Sequence, residues 1–416
     1  MNPLEQRPDL RRTAGIVLLS TVVGLLAATV PLGPVNAAPE EQQLAAPAPT
    51  SASDVAAQVG LYQVTKSWSA NVGDFDADGD PDLMYVPHNE SASRLYRNDG
   101  GLFSEVFAGT FRRRDRHDCA WGDVNTDGRL DLYCSLGASS GTGYNPKELW
   151  IQQTGGGFVD RAVAYGVTDP YGRGRMATFI DVNHDPYPDL FVGNEYPRQD
   201  GIPVSNHLYI NQEGTSFAAA PGFGLDVEVG GLCAQAADID RDGWEDLLVC
   251  GQTGLHLYRN DGGTGFTEIT GAWGVGSLAS GFSNARLADF TGDGKLDLAL
   301  VKQTSLVVLP QGASSFGPIS FQLALKAGRW IAAGDFQGDG ALDLFVVQKC
   351  RNGINDPDHL LLGDGTGASF SEVALPQTTQ GCGDVVEPID YNGDGNDEFI
   401  VLNGLGDTTQ GPAPSN

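Results

Sequence analysis

The chain has 416 residues and is acidic, with 25 lysine and arginine residues against 53 aspartate and glutamate residues and a formal net charge of -28. A surface this negative repels polyphosphate, which argues against nucleic acid as a partner. The hydrophobic fraction of 41% is enough for a folded core, and 56 glycines without a Gly-x-y period indicate many turns rather than collagen.

The N-terminal segment resembles an export signal. Three arginines precede an apolar run over residues 14–30, and small residues lead to a cleavage site at Ala37. We therefore expect a signal peptide over 1–37, an Ala/Pro-rich linker over 38–53 and a secreted, extracellular protein without a membrane span in its mature form. An uncleaved membrane anchor is the alternative, because the run approaches the length of a short span.

An acidic motif of the general form D-x-[DN]-x-D-G-x-x-[DE] recurs seven times along the chain, at intervals of 46–58 residues. Repeats of this length with strand-like apolar runs are typical of solenoids and propellers. Each unit reads as four strands: one before the motif, one after it, a third such as RLYRNDG and a fourth such as FSEVF. The pattern predicts an all-β fold, a seven-bladed β-propeller over residues 54–416, with a β-solenoid as the alternative.

Ring closure is also predicted from sequence. Residues 54–61 resemble the fourth-strand segments at 160–167 and 268–275, so the N-terminal segment is expected to supply the last strand of the seventh blade. The sequence stops where the third strand of that blade would begin, which indicates an incomplete blade or a fragment.

The acidic motif is suited to calcium. Side chains at positions 1, 3 and 5 of a tightly curled loop converge, glycine at position 6 permits the turn, the position 7 carbonyl adds an oxygen, and a carboxylate at position 9 closes the shell. Hard oxygen ligands favour Ca²⁺ over zinc or copper, and the flexible shell favours it over Mg²⁺. Acidic turns with Asx hydrogen bonds and no metal are the alternative. The candidate calcium ligands are Asp74, Asp76, Asp78, Asp80, Asp82, Asp123, Asn125, Asp127, Arg129, Asp131, Asp181, Asn183, Asp185, Tyr187, Asp189, Asp238, Asp240, Asp242, Trp244, Asp246, Asp289, Thr291, Asp293, Lys295, Asp297, Asp335, Gln337, Asp339, Ala341, Asp343, Asp390, Asn392, Asp394, Asn396 and Glu398.

The seven loops are not equivalent. The first and fourth carry acids at positions 1, 3, 5 and 9 and are predicted to bind most strongly. Thr291 and Gln337 remove one charge from the fifth and sixth loops. In the third loop Pro186 replaces the glycine and cannot adopt a positive φ, so this sequence is compatible both with a calcium site and with a loop that binds no metal.

The six cysteines are expected to form disulfides in an exported protein. Cys119 and Cys134 flank the second acidic loop, and Cys233 and Cys250 flank the fourth. If each loop joins antiparallel strands, each pair faces across a hairpin, which predicts Cys119–Cys134 and Cys233–Cys250. Cys350 and Cys382 are the two cysteines left, so they are predicted to form the third pair. Free buried thiols are the alternative.

These loops resemble the FG-GAP/VCBS-repeat family, whose repeats form the N-terminal propeller of integrin α-subunits. The combination of DFDADGDPDL with RLYRNDGG and FSEV also resembles cartilage-acidic-protein-like secreted proteins. The resemblance covers about residues 54–403. It implies a seven-bladed propeller with calcium between the first two strands of its blades, and extracellular adhesion or ligand binding.

A partner surface is predicted on the face opposite the acidic loops, where long insertions cluster on one arc of the ring. The stretch RRRDRH is the one dense basic run, and arginine and tyrosine are common anchors of recognition surfaces. A carboxylated or sulfated ligand or an acidic protein would suit it; alternatively these arginines pair with the protein's own carboxylates. The candidate residues are Arg112, Arg113, Arg114, Arg116, Tyr144, Tyr171, Arg173, Arg175 and Tyr196.

Three functions are compatible with these patterns. A calcium-binding adhesion or binding module for an extracellular protein or glycan fits best. A polysaccharide lyase on a propeller scaffold is the second candidate. No catalytic motif is recognised, and nearly all carboxylates that occur in a regular pattern belong to the proposed calcium loops, so no enzymatic activity is expected. A structural repeat protein of a larger assembly is the third.

Overall fold

The computed structural model describes residues 16–21, 51–61, 67–139, 141–196, 200–251, 253–278, 280–349, 356–375 and 382–404. Nearly all of its regular structure is antiparallel β-sheet, arranged as four-stranded units. Two strands precede the first complete unit, β1 (Ile16–Thr21) and β2 (Ala52–Asp54). In the described part of the chain no helix is long and apolar enough to cross a membrane.

Six blades each consist of four strands that follow one another along the chain. The strands of blades one to three are β3 (Ser69–Gly73), β4 (Asp82–Val86), β5 (Arg94–Asn98), β6 (Phe103–Val106), β7 (Arg116–Gly122), β8 (Asp131–Leu136), β9 (Glu148–Gln152), β10 (Phe158–Asp160), β11 (Gly174–Ile180), β12 (Asp189–Asn194), β13 (His207–Asn211) and β14 (Phe217–Ala219). Those of blades four to six are β15 (Cys233–Ala237), β16 (Asp246–Gly251), β17 (Gly254–Asn260), β18 (Phe266–Glu268), β19 (Phe282–Ala288), β20 (Asp297–Lys302), β21 (Ser305–Leu309), β22 (Phe321–Ala324), β23 (Gly328–Gly334), β24 (Asp343–Gln348), β25 (His359–Gly363) and β26 (Phe370–Val373).

The remaining sheet is composite. The hairpin of β27 (Cys382–Ile389) and β28 (Glu398–Gly404) is extended by β1 and then by β2, in the order β2-β1-β28-β27. The N-terminal segment therefore supplies the outer strand, as expected, although this strand lies at 52–54 and residues 55–60 form turns. The third position holds Ile16–Thr21, part of the predicted signal peptide, whose cleavage stays a prediction.

The all-β propeller is confirmed, and the solenoid alternative is excluded, because the first strand of each sheet contacts the first strand of the next and β27 returns to β3. The prediction of seven like blades is corrected. Six blades are built from consecutive strands, while the C-terminal hairpin has only two strands of its own and borrows the rest.

Packing between sheets explains the order of the strands. The second strand of each unit, such as Asp82–Val86 or Asp131–Leu136, is buried along its whole length and therefore reads as a continuous apolar run after its first residue. Seven clusters of buried apolar side chains lie in the described structure, each shared by two adjacent sheets. Each fully buried Leu, Val or Phe contributes about 1.5–3 kcal/mol, so these clusters provide the main force that holds the ring together.

Two disulfides are confirmed at the predicted positions. Cys119 pairs with Cys134 between β7 and β8, and Cys233 pairs with Cys250 between β15 and β16, each in direct cross-strand register. The predicted Cys350–Cys382 pair lies outside the residues whose side chains are described.

Two short helical turns interrupt the β structure. Helix α1 (Ala162–Tyr165) follows β10 and ends at Gly166 with φ 78°, and a 3-10 turn spans Gly276–Leu278. The sequence shows no helical periodicity of its apolar residues here, because a single turn is too short to generate one.

Candidate functional site

The seven acidic loops join the first and second strand of every sheet. Because each sheet is built in the same order from the channel outward, the loops lie together on one face of the ring. In six loops the aspartate at position 1 accepts the backbone N–H groups of positions 5 and 6; in the first loop Asp74 accepts from Asp78 at 3.1 Å and from Gly79 at 3.0 Å. The equivalent acceptors are Asp123, Asp238, Asp289, Asp335 and Asp390.

The third loop differs in the way that its sequence predicts. The glycine at position 6 has a positive φ in the other six loops, for example 97° at Gly79. Pro186 can neither adopt that φ nor donate an N–H. Asp181 instead accepts the N–H of His184 at 2.8 Å, so this loop curls around a different hydrogen bond.

The carboxylate at position 9 has a role that the sequence analysis did not identify. Asp82 is fully buried, its Oδ2 accepts the N–H of Phe75 at 2.9 Å, and its Oδ1 accepts the N–H of Asn98 at 2.8 Å. It therefore fastens the acidic loop to the end of the third strand. The same double tie occurs at Asp131, Asp189, Asp246, Asp297 and Asp343.

Carboxylates converge most closely in the two loops predicted to bind most strongly. Oxygens of Asp74, Asp76 and Asp78 lie within 4.8 Å of one another, as do oxygens of Asp238, Asp240 and Asp246. Both groups present only oxygen donors, which is the ligand chemistry that calcium prefers. The residues present therefore fit Ca²⁺.

The electrostatics of the loops favour a cation. Burial and the neighbouring carboxylates raise the pKa of Asp76 and of Asp240. Burial outweighs the backbone hydrogen bonds, two at Asp82 and three at Asp246, and raises the pKa of both carboxyl groups to about 7. A divalent ion would oppose these shifts, because it favours the ionised carboxylates.

The seventh loop has an unsatisfied acceptor. Burial and then Asp394 raise the pKa of Glu398 to about 8. Its buried Oε2 has no hydrogen-bond partner among the described residues, whereas the position 9 aspartates of the six blades accept an N–H from the third strand. The composite sheet therefore does not reproduce this tie.

The predicted basic arc is largely neutralised by the protein itself. Arg116 is buried and donates to Glu148 at 2.6 Å, and Arg114 donates to the same carboxylate at 3.0 Å. Arg112 and Arg113 are exposed. Arg113 donates to the carbonyl of Asn89.

The second half of the arc is also paired. Arg173 and Arg175 both contact Glu195, the former at 2.7 Å. Tyr144 and Tyr171 are exposed and form an edge-to-face pair with ring centroids 5.7 Å apart, while Tyr196 is half-buried. Of the predicted set, only Arg175 reaches the pocket described next.

A pocket of about 190 Å³ lies at the mouth of the central channel, on the face opposite the acidic loops. Trp68 stands in its wall, with the guanidinium of Arg329 5.7 Å and that of Arg175 5.9 Å from the ring centroid. Arg329 and then burial lower the pKa of neighbouring Lys349 to about 8, against the attraction of Asp384. The sequence does not reveal the meeting of Trp68 with Arg329 and Lys349, because Trp68 belongs to blade one and the two cations belong to blade six.

Deeper in the channel, two carboxylates bridge the inner strands. Asp118 accepts the side-chain N–H of Asn71 at 2.9 Å, and burial raises its pKa to about 7. Glu387 pairs with Arg286 at 3.2 Å, and burial raises its pKa as well. These carboxylates are not part of the acidic loops.

A buried charge cluster anchors the insertions of blades two and three. Lys147 is almost fully buried and pairs with Asp169 at 2.8 Å. His207 lies between Asp169 and Asp226, at 3.6 and 3.4 Å. Burial alone would lower the pKa of His207, but its hydrogen bonds to Asp169 and Asp226 outweigh burial and raise the pKa to about 9.

Replacement of this histidine should give a pH-dependent loss of stability. A raised folded-state pKa stabilises the protein fully below the unfolded value of about 6.5, and this contribution declines as the pH rises through about 9. We therefore expect the Tm difference between the wild type and His207→Gln to be largest near pH ~6 and to close by pH ~9.5. His359→Gln, which removes a surface partner of Glu372, is the control; a difference independent of pH would contradict the assignment.

Comparisons with known proteins agree with the fold. A sequence profile described as an FG-GAP-like repeat matches residues 74–134, 181–249, 238–300 and 335–401. Integrin alpha-3 of Cricetulus griseus is 28% identical over 113 residues, which covers 24% of this chain and 10% of the integrin. The chain thus spans about a tenth of the length of that relative.

Three solved structures are similar to this chain at low sequence identity. An Agrocybe aegerita lectin, described as recognising non-reducing terminal N-acetylglucosamine, has a TM-score of 0.49 and 17% identity over 87% of this chain and 89% of its own. The Photorhabdus luminescens Tc holotoxin pore has a TM-score of 0.39 and 15% identity, over 82% of this chain and 17% of its own. BBS1N in complex with ARL6DN has a TM-score of 0.46 and 12% identity, over 81% of this chain and 93% of its own. None of these similarities bears on function.

The repeat profile covers more than half of the chain, and each matched segment contains acidic loops between strands of the propeller. The protein therefore belongs to the FG-GAP-like repeat family.

Proposed function

We propose that this protein is a secreted, calcium-stabilised β-propeller that binds an acidic glycan through the pocket at the centre of the ring. The observation that carries the proposal is the grouping of Trp68, Arg175, Arg329 and Lys349 around that pocket. Arginine and aromatic side chains together form effective anchors for ligands.

Arg329 and Lys349 form the cationic side of the pocket, whose lining also holds the carboxylates of Asp118, Glu195, Asp384 and Glu387. The lowered pKa of Lys349 reports repulsion from Arg329, and a carboxylate or sulfate placed between these two groups would relieve it. His88 stacks on the ring of Trp68, and Arg175 and Arg329 lie over it, so a sugar would contact the part of the indole that lines the pocket. An acidic protein side chain would satisfy the same charges but would leave more of this apolar surface uncovered.

The size of the pocket limits what enters it. At about 190 Å³ it is smaller than sites for drug-sized ligands, which enclose about 300–1,000 Å³. It suits one terminal sugar residue rather than an extended chain. We therefore expect recognition of chain ends that carry a uronic acid or a sulfated sugar.

Calcium and export complete the proposal. In the calcium-loaded protein, the side chains at positions 1, 3 and 5 hold the ion, which neutralises the loops on the opposite face and stiffens the ring behind the pocket. The two disulfides suit an oxidising extracellular environment. The β27–β28 hairpin closes the ring against blade one, because Asn98 of blade one donates to the carbonyl of Tyr391 at 2.7 Å.

A polysaccharide lyase is a second candidate, favoured by one observation. Asp118 lines the pocket with a pKa of about 7, in the range of a general acid or base. However, Asp118 accepts hydrogen bonds from Asn71 and from the backbone N–H of Ala177, which ties together three neighbouring inner strands. We assign it a structural role and propose that the protein binds without turnover.

Charge reversal in the pocket tests the proposal. We expect Arg329→Glu to weaken binding to oligosaccharides ending in a uronic acid by at least about 10-fold in calorimetry, because a buried charge pair with the ligand is replaced by repulsion. Arg97→Glu, at a half-buried arginine beside the acidic loops, is the matched control and should bind as the wild type does.

The same samples discriminate the alternatives. Release of unsaturated products from uronic-acid polymers would establish the lyase. Equal binding by Arg329→Glu and the wild type would overturn the pocket assignment. Binding of an acidic peptide but of no sugar would replace the glycan by a protein partner.

A further inference from the structure

A second group of side chains beside the pocket forms a compact triangle of nitrogen and oxygen atoms. His88 follows β4, Asp115 precedes β7 and His117 lies within β7. The Nε2 atoms of the two histidines are 3.2 Å apart, and Oδ1 of Asp115 is 3.3 Å from His88 Nε2 and 3.2 Å from His117 Nε2. Neither histidine was assigned a role from the sequence.

Protons alone cannot satisfy this triangle. If both Nε2 atoms carry hydrogen and donate to Asp115, two donors face each other at 3.2 Å. If His88 donates to His117, the unprotonated Nε2 of His117 faces the carboxylate oxygen at 3.2 Å, and two acceptors repel each other. With an ionised carboxylate at Asp115, one edge of the triangle is unfavourable in every protonation state of the two histidines.

A metal ion satisfies all three edges at once. Tetrahedral zinc with bonds of about 2.0–2.1 Å to nitrogen and oxygen holds its ligand atoms about 3.3–3.4 Å apart. The three observed separations are close to this value. We propose that His88, Asp115 and His117 form a zinc site, with a fourth position left to water or a ligand group; this inference does not rest on the proposed glycan function.

The surrounding residues hold the triangle open. The ring of Trp68 stacks on that of His88 with centroids 4.2 Å apart. His88 has a φ of 28°, a conformation rare for residues with a side chain. A Cβ atom at position 137 would lie 2.6 Å from Asp115 Oδ2 and 3.1 Å from His117 Nε2, so only Gly137 leaves room beside these donors.

One cation adjoins the site. The guanidinium of Arg175 lies 2.8 Å from Nε2 of His117, one of the three proposed ligand atoms, and it is held on its other side by Glu195. This pairing neutralises much of its charge, and Asp115 supplies a negative charge directly to the metal. Since His117 and Arg175 both line the central pocket, a bound zinc ion would lie at the edge of that pocket.

Zinc titration of the full chain tests the site. With the acidic loops saturated by calcium, which does not prefer imidazole ligands, we expect calorimetry to show one zinc ion bound per chain. His88→Ala and Asp115→Asn should each weaken this binding by about 100-fold or more, because even an indirect partner of a zinc ligand is worth about 10–100-fold. Cobalt substitution should give the visible absorption of a tetrahedral ion in the wild type but not in His88→Ala or Asp115→Asn.

A histidine outside the triangle provides the control. His256 pairs with Glu268 at 2.8 Å on the other side of the ring, and His256→Ala should bind zinc as the wild type does. His88 lies in a connection between strands, so its variant is expected to keep the wild-type circular dichroism and Tm. Equal zinc affinity in the wild type and His88→Ala, or the absence of zinc binding by the folded wild type, would overturn the proposal.

Discussion

Removal of calcium with EGTA is expected to lower the Tm of the purified protein by at least about 10 °C. An extracellular calcium site with a Kd of about 0.1–1 mM contributes about 1–2 kcal/mol at ~5 mM free calcium. Several such loops act on one cooperative ring, and each kcal/mol is worth about 2–4 °C in a domain of 150–250 residues. Magnesium should restore little of the loss, because it requires tighter octahedral geometry.

Variants of single loops give this experiment its control. Asp74→Asn removes one of the three converging carboxylates of the first loop and should reduce the calcium-dependent rise in Tm. The matched change Asp181→Asn falls in the loop interrupted by Pro186 and should have a smaller effect. An EGTA-treated protein with an unchanged Tm, together with elemental analysis that finds no calcium in the untreated protein, would refute calcium stabilisation.

The features predicted correctly from sequence are local in the chain. Strand order within a blade follows from the alternation of apolar runs and turns, and the hairpin disulfide Cys119–Cys134 follows from a spacing of 15 residues across one loop. The third acidic loop was expected to be irregular because the restriction on proline belongs to the residue itself. Strand order, this disulfide and the irregular loop each depend on one continuous segment, so they can be predicted without knowing which blades are neighbours.

The features that were missed depend on ring closure. Trp68 and Arg329 are far apart in sequence and meet only because blade one and blade six both reach the central channel. The basic stretch RRRDRH predicts either a partner surface or arginines paired with the protein's own carboxylates, and only the fold shows that Arg116 is buried against Glu148, 32 residues away. A sequence pattern indicates charge but does not show which carboxylate lies opposite.

The asparagine that ends the third strand of several blades links that blade to its neighbour in the ring. Asn211 donates to the carbonyl of Val124 in the neighbouring blade at 2.9 Å, and Asn260 donates to the carbonyl of Val182 at 2.9 Å. Asn98 makes the same bond to Tyr391, 293 residues away in sequence. The position 9 aspartate receives the backbone N–H of this same residue. The acidic loop, the third strand and the adjacent blade are thus linked through one amide side chain.

Asp246→Ala is expected to reduce the free energy of unfolding by about 3–5 kcal/mol even without calcium. The carboxylate of Asp246 accepts the N–H groups of Ile239, Asp240 and Asn260 at 3.0, 3.3 and 2.8 Å. Alanine leaves these buried donors without an acceptor, and each costs about 1–3 kcal/mol, offset in part by loss of a carboxyl group whose ionisation burial disfavours.

The matched control for this substitution lies in the same loop. Asp242 is exposed and accepts only the N–H of Trp244, so Asp242→Ala should cost less than about 1 kcal/mol in urea unfolding with EGTA present. With calcium restored, Asp242→Ala should lose part of the stabilisation by the ion, whereas Asp246→Ala should remain the less stable variant in both conditions. Equal stability of the two variants in EGTA would show that the buried aspartate serves the metal alone and does not fasten the strands.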